Sequence, residues 1–245
     1  MNGRVVVITG GSGGIGSAIC RLFAESGAQV IVTYRSDEAA AQSLVSGFPG
    51  DGHLAAHVQV DDSESVQRLA QIVAERYSTV DVLVNCAGLT RPVPHDDLDA
   101  LDDDLIDTIF RVNWRGAFAC VRAFKDLLSN GDGGLVVNIS SVAGVTGMGS
   151  NVAYCASKAA LDSMTRSLAR ALAPRIRVVS VSPGFVEGEY SSRMNPAILD
   201  EQRRKTPLGR IAQAHDVADA VLAVATSLRF STGCIIPVDG GRPLG

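Results

Sequence analysis

The chain has 245 residues, is 46% hydrophobic and 20% charged, and carries a net charge of -4, which allows a sizeable core and argues against disorder. Acidic and basic residues are interspersed, so no basic stripe is available for a phosphate backbone and nucleic-acid binding is disfavoured. Met1-Asn2-Gly3-Arg4 shows no basic, apolar and small-residue succession, and no apolar run approaches a membrane span, so a cytoplasmic protein with no membrane partner is expected.

Apolar, β-branched runs recur along the chain at Val5 to Thr9, Val30 to Thr33, His53 to Val60, Val82 to Val84, Leu135 to Ser140, Ile176 to Val181 and Ile235 to Val238, and each reads as a strand. Between them, apolar residues return at three-and-four spacing, as in Val66, Leu69, Ala70 and Val73 or Leu105, Ile106, Ile109 and Phe110. Strand and helix alternate throughout, without a linker or internal repeat. The expected fold is α/β: a single Rossmann-type, doubly wound domain over residues 1–245, with a parallel seven-stranded sheet covered by helices on both faces. Residues 185–208, holding Gly188, Pro196 and Pro207, fit neither template and are expected to form a substrate lid.

The first strand runs into Thr9-Gly10-Gly11-Ser12-Gly13-Gly14-Ile15-Gly16 and then a helical stretch, the context in which backbone amides and a helix N-terminus face a pyrophosphate. The second strand ends Thr33-Tyr34-Arg35-Ser36, with no carboxylate until Asp37. An acid there would hold a ribose 2′-hydroxyl; Arg35 suits a 2′-phosphate, so NADP is expected over NAD. Only Lys125, Lys158 and Lys205 are lysines among 22 cationic residues, so a retained Lys invites a chemical reason.

Such a reason is offered by Tyr154, four residues before Lys158 in a helical segment that Asn151 can cap, which puts both side chains on one face. Four Tyr and three Lys would produce that spacing by accident about one time in twenty. An ammonium beside a phenol, together with an oxidised nicotinamide, favours its anion, so a lowered Tyr154 pKa is expected with cofactor bound, and Ser141 at the end of the fifth strand can donate to a substrate oxygen. With the glycine turn, these groups suit hydride transfer between a nicotinamide and a carbonyl.

Thr9 to Gly16, Asp61, Asn85-Cys86-Ala87-Gly88, Asn113, Ser140-Ser141, Tyr154 to Lys158, Pro183-Gly184 and Val238-Asp239-Gly240-Gly241 together resemble, in order and spacing, the short-chain dehydrogenase/reductase family. Lys205 to Arg210 and Thr232-Gly233-Cys234 are similar to the 3-oxoacyl-(acyl-carrier-protein) reductase-like branch. The resemblance implies Tyr154 as acid-base group, Lys158 lowering its pKa and holding the nicotinamide ribose, Ser141 positioning the carbonyl, and Asn113 ordering a water relay. It further implies cofactor contacts from Gly10, Ser12, Gly13, Gly14, Ile15, Gly16, Tyr34, Arg35, Ser36, Asp61, Asp62, Asn85, Ala87, Gly88, Pro183, Gly184 and Val186. Where many relatives place Thr soon after Pro-Gly, this chain has Glu187-Gly188-Glu189, which departs from the family pattern.

Relatives of this kind often form tetramers, and the small residues Ala153, Cys155, Ala156 and Ala160 suit close packing of a homo-oligomer. Arg203-Arg204-Lys205 offers a charge cluster for an acidic carrier protein, or simply an exposed turn. His53 and His57 lie too far apart along a strand to share a metal, so no metal is expected. Asp96 to Asp104 reads as a solvated helix face, Trp114 as packing, and the five cysteines as reduced core residues. The leading expectation is NADPH-dependent reduction of a small-molecule ketone to a secondary alcohol. The alternatives are an NAD-linked dehydrogenase of a sugar, polyol or steroid alcohol, and a dinucleotide-sensing protein without catalysis.

Overall fold

The structure, a computed structural model, describes residues 1–188, 191 and 195–244. Seven strands, β1 (Val5–Thr9), β2 (Gln29–Tyr34), β3 (Leu54–His57), β4 (Val82–Asn85), β5 (Gly134–Ile139), β6 (Ile176–Pro183) and β7 (Ile235–Val238), form one sheet in the order β3-β2-β1-β4-β5-β6-β7. Every pairing is parallel. Nine α-helices are seen among the described residues: α1 (Gly14–Glu25), α2 (Glu38–Ser46), α3 (Ser63–Arg76), α4 (Asp103–Phe110), α5 (Ala117–Ser129), α6 (Ala143–Thr146), α7 (Val152–Leu172), α8 (Pro196–Arg204) and α9 (Ala214–Thr226). No described helix is long and apolar enough to cross a membrane.

Alternation along the strands sorts the core into two layers, as a period of two requires. Val5, Val7, Leu83, Val136 and Val178 pack with Leu69, Val73, Phe124 and Leu128 of α3 and α5. Val6, Ile8, Val84, Val137 and Val179 pack on the other face with Ile19 and Phe23 of α1 and Val217 and Val221 of α9. Both faces are therefore apolar, which is why the strands read as continuous hydrophobic runs.

The chain winds outward from β1 to β3, then crosses back to place β4 on the other side of β1. In such sheets the crevice at this reversal, above the carboxyl ends of the strands, receives the ligand. Thr9, Asn85, Asn138 and Pro183, near those ends, are brought into register by the sheet, Thr9 pairing Asn85 and Asn85 pairing Asn138.

Several expectations change in detail. The third strand stops at His57 because Val58 and Gln59 turn the chain toward α3, while His53 is drawn aside, its Nδ1 accepting from Val30 N at 3.2 Å. The sixth strand continues to Pro183, held by the parallel partner β7 up to Val238. Asp96 to Leu101 precede the helix rather than forming one of its faces: Asp102 is the cap, accepting from Leu105 N at 2.7 Å, and α4 starts at Asp103. Trp114 does pack, stacking on Phe118 with ring centroids 6.0 Å apart. All five cysteines are free, Cys20, Cys120 and Cys155 buried and Cys86 and Cys234 half-buried.

Candidate active site

The glycine turn is shaped by close backbone approach. Gly10 sits at φ +64, and a Cβ there would meet Ala87 Cα at 3.0 Å; a Cβ at Gly16 would fall well inside contact distance of the Gly10 carbonyl oxygen. Helix α1 begins after Gly13 with no side-chain cap, so its first amides have no intrahelical partner, and nothing stands within 4 Å of the Cβ position at Gly14. An uncapped helix start above an open glycine cradle fits a pyrophosphate. Ser12 and Ile15 are half-buried beside it.

Two threonines outside the expected contact set hold this turn. Thr9 Oγ1 accepts from Cys86 N at 3.0 Å and Ala87 N at 3.1 Å, tying the turn to the end of β4, and Thr33 Oγ1 accepts from Gly10 N at 3.2 Å. Both are buried hydroxyls at strand ends, a signal available in the sequence as Thr closing an otherwise apolar run.

At the end of β2, Tyr34 is half-buried, edge-on to His57, while Arg35 and Ser36 are exposed. The nearest following acid, Asp37, is committed to capping α2, where it accepts from Ala40 N at 2.8 Å. Asp61 lies at the β3 to α3 connection with its carboxylate 3.9 Å from Arg111 Nε. Asp62, expected beside it as a contact, caps α3: it accepts from Glu64 N at 2.9 Å and lies 3.6 Å from Arg68. The Asn85 side chain turns into the sheet and donates to Asn138 Oδ1 at 2.9 Å, leaving its backbone for the crevice.

Ser141, Tyr154, Lys158 and Asn113 converge above β4 and β5. Tyr154 and Lys158 start α7, which Asn151 caps by accepting from Tyr154 N at 2.7 Å. Asn151 is fully buried and donates to Thr90 Oγ1 and to Arg91 O at 2.8 Å, so the loop after β4 and the start of α7 are fixed together. Lys158 is 6% exposed, its Nζ donating to Ile139 O at 2.8 Å and lying 5.7 Å from the Tyr154 ring centroid. A Cβ at Gly88 would stand 3.8 Å from that Nζ and 3.6 Å from Asn113 Oδ1, so the glycine leaves room directly beside the amine.

Asn113 sits in a π-helical segment, Arg111–Gly116, between α4 and α5; widened turns of this kind recur at functional sites. Its side chain is locked: Oδ1 accepts from Leu89 N at 2.7 Å, and Nδ2 donates to Leu89 O at 3.0 Å and Ser157 Oγ at 3.1 Å. Ser157, between Tyr154 and Lys158, was not singled out by sequence. Ser141 Oγ accepts from Ala143 N at 3.2 Å.

Electrostatics depart from expectation in one respect. Burial pushes the Tyr154 phenol up, opposed by the Ser141 hydroxyl, so the phenol is a neutral acid rather than a lowered one. The ammonium bears the larger change, since burial lowers Lys158 from 10.5 to about 8, with Cys86 and Asp162 acting in the opposite direction. Burial also pushes the neighbouring Cys86 thiol up to about 12.

Beyond β6, Gly184 N donates to Val238 O at 3.0 Å, and Val186 pairs with Ala212 in an isolated parallel bridge. Of the expected lid, 185–208, residues 189, 190 and 192–194 lie outside the described set, including Glu189. The rest holds α8, with Asn195 as cap accepting from Ala197 N at 2.9 Å and Pro196 in its first turn. Glu187 lies 3.5 Å from Arg203, which also binds Asp200 at 2.7 Å, and Lys205 pairs with Glu201. Within the basic triplet, Arg203 and Lys205 are thus matched by carboxylates of the described residues. A cleft of about 470 Å³ opens between this region and the β7 end, lined by Phe185, Pro207, Leu208 and Gly240 among others.

A family model described as enoyl-(acyl carrier protein) reductase matches residues 10–242. Carbonyl reductase family member 4 of Danio rerio is 37% identical over 244 residues, covering 98% of each chain. The 3-oxoacyl-(acyl-carrier-protein) reductase of Thermotoga maritima is 34% identical over 248 residues, again covering 98% of each. The solved structure of a short-chain dehydrogenase/reductase from Burkholderia xenovorans superposes with a TM-score of 0.93 at 33% identity over 100% of both chains. With likeness this complete in sequence and in fold, the chain belongs to the short-chain dehydrogenase/reductase family, in its 3-oxoacyl-(acyl-carrier-protein) reductase-like branch, and is an NAD(P)-dependent oxidoreductase.

Proposed function

We propose that the protein reduces a ketone to a secondary alcohol with NADPH, and that the substrate class includes 3-oxoacyl thioesters. The observation that carries this reading is the buried Lys158 amine beside the Tyr154 ring, one opening away from the glycine-lined crevice. A bound nicotinamide dinucleotide supplies the hydride. Gly10, Gly13, Gly14 and Gly16 with the start of α1 hold its pyrophosphate, and Ala87, Gly88, Pro183, Gly184 and Val186 flank its path. Tyr154, neutral because it is buried, gives its proton to the carbonyl oxygen as the carbon is reduced. Ser141 donates to that same oxygen and orients it. Lys158 stabilises the phenolate left behind, and Asn113, fixed by Leu89 and Ser157, holds the return path for a proton next to that amine.

The preference for NADPH rests on Arg35. It is exposed at the end of β2, the first carboxylate after it, Asp37, is occupied as a helix cap, and the next, Glu38, is engaged with the Tyr34 phenol. A 2′-phosphate would meet a guanidinium there instead of a competing acid. Acyl-carrier recognition is placed on the thioester chain rather than on Arg203 or Lys205, whose charges are matched within the chain. Residues 185–208 act as the substrate lid, anchored by the Val186 to Ala212 bridge. A homo-oligomer is supported by the partly exposed aromatic cluster of Trp114 and Phe118 and by Ala156, which faces outward; Ala153 and Cys155 are already covered within the chain. The test is an NADPH-oxidation assay across simple ketones and 3-oxoacyl thioesters. Turnover with neither class, at any pH and with either cofactor, would refute the reading.

A further inference from the structure

Beneath the reactive cluster runs a buried polar chain that the mechanism above does not use. Asn85 on β4 donates to Asn138 on β5 at 2.9 Å, and Asn138 Nδ2 donates to Thr165 Oγ1 on α7 at 2.8 Å. Thr165 meets Ser180 of β6 at 3.3 Å, and Ser180 Oγ donates to Asp162 Oδ1 at 2.8 Å. Asn138, Thr165 and Ser180 are fully buried, and Asp162 is 3% exposed. Thr165 gives its one hydroxyl proton to Leu161 O at 3.0 Å, so the donor that reaches the carboxylate is Ser180 alone. A buried carboxylate with a single hydroxyl donor is expensive unless a cation accompanies it.

The buried cation one helical turn away is Lys158, whose amine bonds Ile139 O and makes no direct ion pair with Asp162, so any coupling acts through space. Asp162 lies four residues beyond it on α7, and Lys158 four beyond Tyr154, so phenol, ammonium and carboxylate follow one another along one flank at a rise of roughly 6 Å per step. Other charges near this flank face water: Asp103, Asp104 and Asp107 on α4, Arg111 and Arg115 on the π-helical segment, and Arg166 on α7 are all exposed. The remaining titratable neighbours are the Tyr154 phenol and the Cys86 thiol, both held in their neutral forms by burial. On this side β6 presents the uncharged Ser180 and Ser182, and β5 with the residue just after it presents Asn138 and Ser140.

We propose that Asp162 is a positioning residue for the reaction: its carboxylate, anchored by Ser180, is the counter-charge that keeps the Lys158 amine, held by Ile139 O, in its charged form beside Tyr154. Burial drives Lys158 down, and Cys86 and then Asp162 oppose it. The inference rests on the assignment of Tyr154 and Lys158 to the reaction, and its test separates the two.

Because the chain has only three lysines, lysine carrying a 13C label at Cε gives three signals, and substitution of Lys158 assigns its own. Asp162→Asn keeps an acceptor for Ser180 and removes only the charge; Ser180→Ala removes the hydrogen bond and keeps the charge. The Lys158 signal of the unsubstituted protein is expected to titrate at about 8. In Asp162→Asn it falls by about one unit or more, and in Ser180→Ala it stays within a few tenths. The alkaline limb of the kcat/KM profile moves with it in Asp162→Asn, a loss of about tenfold above the limb. An unmoved Lys158 titration in Asp162→Asn, or an equal shift in both variants, overturns the proposal. A moved titration with an unmoved activity limb supports the coupling and counts instead against Lys158 in the reaction. If Asp162→Asn does not fold, adding Lys158→Met decides: restored folding supports a charge pair, and continued failure overturns it.

Discussion

Burying an ammonium without a fully matching partner is a stability defect that pH can switch off, and Lys158 shows it most sharply. Its folded value is about 8 against 10.5 for the free side chain, so the unfolded chain holds more protons between those values. With the folded value depressed for a base, stability rises with pH across roughly 8 to 10.5 and is penalised below. From these two values, protonated Lys158 costs the fold about 3 kcal/mol at pH 7 and about 1 kcal/mol at pH 10, a relief of about 2 kcal/mol. Lys158→Met removes the titration and also the hydrogen bond to Ile139 O, but that second loss is nearly independent of pH. The stability difference between the two proteins, from urea unfolding, is therefore expected to change by about 2 kcal/mol in favour of the unsubstituted protein from pH 7 to pH 10. A difference that stays constant would mean that Lys158 is hydrated and unperturbed, and the argument from its burial would fail.

Three further outcomes follow from contacts already described. Gly16→Ala puts a methyl group into the Gly10 carbonyl, so a loss of about 1–3 kcal/mol is expected with weakened NADPH binding, read by thermal unfolding and by fluorescence titration. Arg35→Ala is expected to weaken NADPH by about tenfold or more and to leave NADH unchanged, because only the former brings a 2′-phosphate; equal effects on both would place Arg35 outside the cofactor site. Asp216 is held down to about 2 by Arg210, which it binds at 2.6 and 2.7 Å. Its contribution is present above the ordinary carboxylate range and lost as pH falls from about 4 toward 2, so an Asp216→Asn variant should lose less stability over that window than the unsubstituted protein.

The alternating strands and helices were legible because each strand is apolar on both faces and each glycine or cap stands where a turn needs it, as at Gly10 and Asn151. Tyr154 and Lys158 were legible for a different reason: four residues on a helix are one turn, whatever surrounds it. Side-chain direction was not legible at the strand ends. Asn85 and Asp62 occupy expected positions, yet one turns into the Asn138 network and the other caps α3, since both choices depend on neighbours from other elements. Nor was the widened turn at Arg111–Gly116, where the apolar spacing of α4 and α5 continues almost undisturbed across Asn113. The upward push of burial on Tyr154 was not legible, because the ammonium is visible in sequence and desolvation is not.

The most direct test of the whole account is Tyr154→Phe, which removes one oxygen and keeps the ring against Lys158. NADPH binding should persist while kcat with the best ketone falls by at least about a hundredfold, the usual contribution of a placed general acid. Retained turnover with intact cofactor binding would contradict the claim that this phenol delivers the proton.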